Sequence, residues 1–262
     1  MDGTTLLVGC GRLGGAILTG WRLTGAVSMP DLVILSPSAK PVIEAAILNG
    51  ARHNPADLGD VRRIVLAVKP AMWRGVSSPL ATRLPGDAVV VSVMAGVNSA
   101  ALSKVFGSRP VARVMPTTAV SAGRGVASLW THGPEGEAAA RSLFEPIAEV
   151  LSVDDEALID VATAVSGSGA AYVYAFVRAL ARAAEGQGMP PDQAVALGRA
   201  TVRGAMARLD EGAAVDDLIA EVASPGGTTQ AGLAVLEPDL TGLLARTVEA
   251  SLDRVRTLDP GG

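Results

Sequence analysis

Short apolar runs alternate with amphipathic stretches over the first half of the chain. The runs TTLLVG, DLVILS, RIVLAV, AVVVSV and PVARVM are rich in Val, Ile and Leu and are bounded by Gly, Pro or Asp. Such continuous apolar runs are typical of parallel strands that helices cover on both faces. Helical periods near Gly14–Leu23 and Pro41–Asn49 separate the first runs. The pattern predicts a doubly wound parallel α/β sheet over residues 1–157.

From residue 158 onward the composition shifts toward Ala, Leu, Arg and Glu, with apolar residues three and four positions apart. Two long helices are predicted in AAYVYAFVRALARAAEGQ and PDQAVALGRATVRGAMARLDE, separated by GMPP. Three further helices are predicted at Asp216–Ala223, Thr228–Leu236 and Pro238–Leu258. Residues 158–262 are therefore predicted to form an all-helical domain. Because apolar residues occur on more than one face of several helices, we expect a homodimer or a higher homo-oligomer built on dimers.

Composition argues against several classes of function. The 262 residues include 22 basic and 26 acidic side chains without a concentrated basic block, so neither nucleic acid nor a membrane surface is expected as a partner. Cys10 is the single cysteine, so we expect no internal disulfide and no metal site. No apolar run reaches about 18 residues, and the first residues lack the features of a secretory signal. We expect a cytoplasmic protein with a small-molecule substrate.

Gly9, Gly11 and Gly14 have the G-x-G-x-x-G spacing directly after the first predicted strand. In dinucleotide-binding Rossmann domains the first glycine permits a tight turn and the second lets the main chain approach the pyrophosphate. The third allows close helix–strand packing. The positive end of the following helix favours phosphate. We predict a dinucleotide site here, and a strand-to-helix turn without a ligand is the alternative.

The tip of the second predicted strand, LSPSAK, bears on which dinucleotide binds. An NAD enzyme usually has Asp or Glu about 20 residues past the glycines, whereas Asp31 lies at the wrong end of this strand. Ser36, Ser38 and Lys40 offer hydrogen bonds and positive charge to a 2′-phosphate, which favours NADPH. An ordinary polar turn is the alternative, particularly for Lys40. Lys69, which follows the third run, faces either the ligands or solvent.

Two further glycine-rich segments precede predicted helices. Ser166–Gly169 comes before the first long helix, and SPGGTT, residues 224–229, comes before a later one. The unbonded N–H groups and the dipole of a helix start stabilise a carboxylate. Both segments are therefore candidate carboxylate sites, and simple N-capping is the alternative for each.

These motifs together resemble one enzyme family. The segments GCGRLGG, AVKP, VMAG, RVMPTT, AVSGSGAAYVY and VASPGGTTQAGLAVLE, in this order and at these separations, are similar to those of pyrroline-5-carboxylate reductases. The resemblance covers nearly the whole chain. It implies a Rossmann domain joined to a helical dimerisation domain, with sites near the dimer interface. It also implies reduction of L-1-pyrroline-5-carboxylate to L-proline with NADPH or NADH, the last step of proline biosynthesis.

The resemblance further implies the residues of each site. The pyrophosphate would be held by the glycine loop, at Gly9, Gly11, Arg12, Leu13 and Gly14. The adenosine end would be served by Ser36 and Asn54. The nicotinamide side would be lined by Ala67, Val68, Lys69, Pro70, Ala95 and Gly96. The substrate carboxylate would rest on Ser224, Gly226, Gly227, Thr228 and Thr229, and Thr229 would contact the ring nitrogen.

The chain departs from the family pattern in a few positions. Thr117 stands where the family has asparagine, which removes an amide near the nicotinamide. Ala119 and Ala170 stand where the family has proline, which loosens two turns. The segment Ile219–Glu221 replaces a basic–acidic pair that often follows leucine. We expect the activity to survive these changes.

The chemistry of imine reduction agrees with the side chains that this sequence offers. A cyclic imine is basic enough to take a proton from water or from a modest donor, so the site needs no strong acid. All three lysines precede residue 105, so the helical domain lacks the lysine that hydroxyacid dehydrogenases of similar plan use. Thr229 is the predicted donor, directly or through a water. Tyr172 and Tyr174 are alternative donors, although their apolar helix face favours the core.

Two other functions fit the same residues. One is an NADP-dependent reductase of another cyclic imino acid, and the other is a dinucleotide-sensing regulator without catalysis. The intact SPGGTT segment counts against the regulator. A third interpretation makes the Ala-rich helices an oligomerisation module only.

Overall fold

The computed structural model describes residues 3–259 and divides into two compact units. The first unit contains the residues up to 167 together with those from 251 onward, and the second contains residues 168–250. These units group segments by their contacts. The predicted division into domains after residue 157 stays a prediction.

An eight-stranded sheet forms the centre of the first unit, in the order β3-β2-β1-β4-β5-β6-β7-β8. The strands are β1 Thr4–Val8, β2 Leu32–Leu35, β3 Arg52–His53, β4 Val61–Leu66, β5 Val89–Ser92, β6 Val111–Pro116, β7 Gly125–Thr131 and β8 Ala148–Ser152. Neighbouring strands are parallel except for β6 and β7, which a short connection joins as an antiparallel pair. The predicted α/β fold is confirmed as a mainly parallel sheet.

Helices cover both faces of this sheet. Alternate side chains of β1 show this, because they lie in two different buried clusters. Leu7 lies in one buried cluster with residues of α1 (Arg12–Thr24) and α5 (Pro134–Phe144), whereas Leu6 and Val8 lie in a second cluster with residues of α3 (Trp73–Ala81) and α4 (Ser99–Phe106). Successive side chains of a strand point to opposite faces, so both faces are buried. The helices of this unit are α1 Arg12–Thr24, α2 Pro41–Ile47, α3 Trp73–Ala81, α4 Ser99–Phe106, α5 Pro134–Phe144 and α6 Ala157–Ala162.

A buried arginine joins three elements of the first unit. Arg113 on β6 has a side chain that is 2% exposed, and its guanidinium pairs with Glu156 at 3.2 Å and with Asp160 at 2.9 Å. The Glu156 carboxylate also accepts hydrogen bonds from the N–H and the hydroxyl of Ser99, each at 2.6 Å. This network fixes the starts of α4 and α6 to the sheet.

The last described residues pack against the strand ends of the first unit. The Asp259 side chain is 2% exposed and pairs with Arg74 at 2.5 Å, while the Arg74 guanidinium lies 4.6 Å from the centre of the Trp73 ring. Gly96 has a φ of +72°, and a Cβ there would lie within 3.0 Å of the Val255 carbonyl oxygen. Gly96 is therefore required for this close approach of the main chain.

The second unit is helical. Its helices are α7 Gly169–Gly186, α8 Pro191–Leu209, α9 Val215–Val222 and α10 Thr228–Arg256, of which the last turns belong to the first unit. α7 and α8 pack closely at Gly198, where a Cβ would lie 3.3 Å from the Val177 carbonyl oxygen. The predicted break before Pro238 is wrong, because α10 continues through it. The proline removes one hydrogen bond from a long helix without ending it.

Large apolar side chains remain exposed on the helices of the second unit. They include Val173, Tyr174, Phe176, Val222 and Val235, with Tyr174 71% and Val235 78% exposed. The prediction that Tyr174 lies in the core is therefore wrong for the single chain. Within residues 3–259 no helix is both long and apolar enough to cross a membrane.

We predict that the Arg113 network dominates the local stability of the first unit. Arg113→Met leaves two mostly buried carboxylates without their cation and should lower the free energy of unfolding by about 3 kcal/mol. Arg256→Met is the control, because Arg256 and its partner Asp253 are both well exposed and such pairs contribute under about 1 kcal/mol. Urea unfolding at one protein concentration measures both variants. Equal shifts in the two midpoints would contradict the prediction.

Candidate active site

The carboxyl ends of three neighbouring strands form the first candidate site. β1 lies between β2 and β4, so the chain leaves β1 toward one side and later returns on the other, which is where ligands bind in open α/β sheets. The Gly9 N–H donates to the Leu35 carbonyl and the Ala67 N–H donates to the Val8 carbonyl, each at 2.8 Å. These bonds hold the three strand ends around a groove of about 560 Å³.

The three glycines of the loop meet different surroundings. Gly9 has a φ of +90°, and a Cβ there would lie 2.7 Å from the Ala67 carbonyl oxygen. A Cβ on Gly14 would lie within 3.0 Å of the Gly9 carbonyl oxygen, while a Cβ on Gly11 would meet no atom within 4 Å. Gly9 and Gly14 are thus required by the protein's own packing. The space beside Gly11 opens into the groove, as a pyrophosphate-binding loop requires.

Asn54 shapes the other end of the groove. Its side-chain oxygen accepts from the Ser36 N–H at 3.0 Å, and its side-chain amide donates to the Ser36 carbonyl at 2.9 Å. The Ser36 hydroxyl donates to the Ser38 carbonyl at 3.2 Å, and His53 Nε2 lies 3.2 Å from the Ser36 carbonyl. Asn54 has a φ of +50°. Its side chain therefore fixes the strand tip in addition to lining the groove.

Lys40 and Cys10 also line this groove. Lys40 Nζ donates to the Cys10 carbonyl at 2.8 Å, which places a positive charge beside the glycine loop. Burial raises the pKa of the Cys10 thiol, against the smaller opposing effect of Lys40. The thiol therefore stays protonated at neutral pH and offers no nucleophile.

Most predicted cofactor residues come together in this groove. Those that line it are Gly9, Gly11, Ser36, Ser38, Asn54, Ala67, Val68 and Lys69. The groove also contains Lys40, which the polar strand tip suggested, and six residues that were not predicted: Val8, Cys10, Leu35, Pro37, Met72 and Val76. No acidic side chain is among the lining residues, which suits a ligand that carries phosphates.

The remaining predicted cofactor residues lie outside the groove lining. Arg12 is exposed on the first residue of α1, Leu13 packs against the core, and Pro70 begins a short 3₁₀ turn. Ala95 packs against the cluster of Met115, Trp130 and Ile159. Gly14 is buried beneath the loop, and Gly96 packs against the C-terminal segment. Their contacts with a cofactor stay predictions.

The second candidate site is the turn that precedes α10. The Gly227 N–H donates to the Ser224 carbonyl at 2.9 Å, and Gly226 has a φ of +72°. Because Pro225 cannot adopt a positive φ, Ser224–Gly227 is a type II β-turn, which requires a positive φ at its third residue. A Cβ on Gly227 would lie 2.5 Å from the Ser224 hydroxyl oxygen. Gly226 is therefore required by the positive φ of the turn, whereas a Cβ on Gly227 would need the Ser224 hydroxyl to rotate and would lie 3.0 Å from the Ser224 carbonyl oxygen.

The start of α10 presents main-chain donors beside this turn. The first N–H groups of an α-helix have no hydrogen-bond partner within the helix. In α10 the helical pattern of bonds begins where the Ala231 N–H donates to the carbonyl of Gly227, the residue before the helix. Thr228 and Thr229 occupy the first two helical positions and are exposed. Such a helix start stabilises a bound carboxylate through its N–H groups and its dipole.

The other predicted carboxylate site does not form as expected. Residues 163–167 continue α6 as a π-helical turn, in which the Ser166 hydroxyl donates to the Ala162 carbonyl at 2.8 Å. Ser166 and Gly167 therefore belong to a helical turn rather than to a loop, and carboxylate binding at Ser166–Gly169 stays a prediction. Among residues 3–259, no cluster of His, Cys, Asp and Glu side chains has the size to hold a metal ion.

Residues 156–258 match a family model described as pyrroline-5-carboxylate reductase dimerisation. The chain is 32% identical to a pyrroline-5-carboxylate reductase of Pisum sativum, over 98% of this chain and 97% of that protein. A solved structure of a pyrroline-5-carboxylate reductase from Coxiella burnetii is 27% identical, with a TM-score of 0.87 over 98% of this chain and 99% of that one. A Plasmodium falciparum pyrroline carboxylate reductase with NADP bound is 23% identical, with a TM-score of 0.83 and 98% of both chains covered, and shares the fold.

The surroundings of Gly11 and Gly14 predict different effects for the same change, glycine to alanine, at the two positions. Gly11→Ala adds a methyl group to the open space and should leave stability unchanged while it weakens NADPH binding at least about tenfold. Gly14→Ala forces a methyl group against the Gly9 carbonyl and should destabilise the protein by about 1–3 kcal/mol. Thermal unfolding and NADPH fluorescence titration measure the two effects. Normal NADPH binding by the Gly11→Ala protein would contradict the prediction that this loop binds the pyrophosphate.

Proposed function

The chain belongs to the pyrroline-5-carboxylate reductase family, and on that premise we propose that it reduces L-1-pyrroline-5-carboxylate to L-proline with NADPH or NADH. The observation that carries the proposal is the type II turn with open main-chain donors at the start of α10, in a chain that also has a glycine-loop groove. One feature suits a small acid and the other suits a dinucleotide.

The groove of the first unit would bind the cofactor. The glycine loop and the start of α1 would hold the pyrophosphate through main-chain N–H groups and the helix dipole, with Gly11 leaving room for the approach. Ala67, Val68 and Lys69, at the end of β4, would lie on the nicotinamide side. When bound, the reduced nicotinamide supplies a hydride to the carbon of the C=N bond.

The strand tip of β2 supports a preference for NADPH. Ser36, Ser38 and Lys40 line that end of the groove, and the lysine ammonium brings a positive charge beside the loop. Asn54 holds the Ser36 main chain from both sides, which keeps the tip in one conformation for an adenosine ribose and its phosphate. NADH remains a usable cofactor because the pyrophosphate contacts are common to both.

The turn at residues 224–229 would bind the substrate carboxylate. Main-chain N–H groups can bind an anion without a charged side chain. The positive end of the helix dipole further strengthens the binding of a carboxylate. Thr229 would orient or protonate the ring nitrogen through its hydroxyl, directly or through a water. A hydroxyl suffices because a cyclic imine takes a proton readily and the hydride transfer then neutralises the iminium.

The helical unit would also make the dimer. The exposed apolar side chains of α7 to α10 are the surface that such a contact would bury, and the matched family model is one of dimerisation. A small-molecule substrate is proposed as the remaining partner.

The function is tested by a proline-forming assay with NADPH and with NADH, on the wild type and on Thr229→Ala. Thr229→Ala should lower kcat/KM about 100-fold, the low end of the range for general acid catalysis, while NADPH binding is retained. Thr229→Ser keeps the hydroxyl and should stay within about threefold of wild type, and Thr228→Ala keeps the main-chain donor and serves as the control.

Two outcomes of that assay would contradict the proposal. Faster NADPH oxidation with a different cyclic imino acid would reassign the substrate. NADPH binding without turnover of any cyclic imine would indicate the non-catalytic regulator.

The assembly is tested by light scattering. At micromolar concentration the expected mass is at least twice that of one chain, since the exposed apolar faces favour association. A monomeric mass would contradict the proposed dimer.

A further inference from the structure

Gln230 makes a contact with the substrate turn, although neither the resemblance nor the proposed function assigns it a role. Its side-chain oxygen accepts a hydrogen bond from the Gly226 N–H at 2.7 Å. Gln230 is the third residue of α10. Glutamate and glutamine at this helix position commonly reach back to main-chain N–H groups that precede the helix, so the contact is a variant of the capping box.

This contact fixes the part of the turn that its own hydrogen bond leaves free. The type II turn is closed by the Gly227 N–H and the Ser224 carbonyl, which leaves the N–H of Gly226 without a partner inside the turn. Gly226 and Gly227 have no Cβ and lose the most main-chain freedom on ordering. A side-chain acceptor on the Gly226 N–H therefore holds the one peptide plane that is otherwise free to rotate.

The same contact determines which main-chain donors remain for an anion. Gly226 donates to Gln230 and Gly227 donates to Ser224. The N–H groups of Thr228 and Thr229 follow directly, at the first two positions of the helix, where helical geometry supplies no acceptor. Two adjacent donors match the two oxygens of a carboxylate.

We propose that Gln230 is a positioning residue for the substrate carboxylate, because it holds the turn beside the main-chain donors to which the proposed function assigns that carboxylate. The inference rests on the proposed function and adds to it the residue that holds the turn. Gln230 does not contact the reacting atoms. It holds the main chain from which the donors project.

The side chain at position 230 carries no charge, and this affects how strongly the turn attracts an anion. A glutamate would accept the same hydrogen bond, and its negative charge would suit the positive end of α10. That charge would lie one helical turn or less from the bound carboxylate and would repel it. Glutamine therefore caps the turn without reducing the attraction of the helix start for substrate.

The two effects of a glutamate are separable by experiment. Gln230→Glu should leave the melting temperature unchanged or higher, while KM for pyrroline-5-carboxylate rises at least about fivefold. Gln230→Ala removes the contact and should raise KM about three- to tenfold, the equilibrium factor of one net hydrogen bond. In both variants kcat and the Kd of NADPH should stay within about twofold of wild type, as expected for lost substrate binding.

Gln193 supplies a matched control. It is the third residue of α8, is exposed, and makes no side-chain hydrogen bond with any residue in the range 3–259. Gln193→Glu also places a negative charge at a helix start, so it should leave the melting temperature unchanged or higher, and it should leave KM for pyrroline-5-carboxylate unchanged. Calorimetric binding of L-proline to the NADP-loaded protein should weaken in the Gln230 variants by the same factors as KM and not in the Gln193 variant.

The outcomes separate this inference from the function on which it rests. A wild-type enzyme with proline-forming activity and a Gln230→Glu variant with unchanged KM would contradict the role of Gln230 alone. A Gln230→Glu variant that loses kcat at constant KM would also contradict it, because the residue would then act on the chemical step. A wild-type protein that does not reduce pyrroline-5-carboxylate would contradict the proposed function itself.

Discussion

Main-chain N–H groups that a helix start leaves unbonded are the interaction on which both candidate sites depend. At the first site they follow the glycine loop at the start of α1, and at the second they follow the Ser224–Gly227 turn at the start of α10. In each case glycines let the chain turn sharply just before the helix and keep side chains away from the donors. Helix starts bind phosphate and carboxylate in this way, so the second site can bind an anion without a buried cationic side chain.

These donors bind only if the main chain that carries them is held still, and polar side chains do this at both sites. Asn54 pairs with the N–H and the carbonyl of Ser36, and Gln230 pairs with the N–H of Gly226. Neither amide brings a charge, so neither competes with the anion that the site is proposed to bind. On a larger scale, the buried Arg113 network fixes α4 and α6 to the sheet that carries the first site.

The sequence predicts the regular parts of this molecule and misses those that depend on contacts distant in the chain. Apolar runs predicted the five central strands, but β3 has two residues and β7 and β8 mix polar and apolar residues, so periodicity gives no signal for them. Pro238 suggested a break between two helices, but it lies inside α10, which continues on both sides of it. Ser166–Gly169 has the composition of a loop, yet its first two residues belong to a π-helical turn, which no local pattern marks. The glycine spacing located the groove, whereas the pairing of Asn54 with Ser36 depends on two strands that meet only in the fold.

A crystal structure with L-proline and NADP would show directly where the small carboxylate binds. We expect both carboxylate oxygens within about 2.7–3.2 Å of the main-chain nitrogens of Thr228 and Thr229, with Gln230 still bonded to Gly226. A carboxylate bound away from residues 224–229, or held there by the Gly226 N–H with Gln230 displaced, would contradict it.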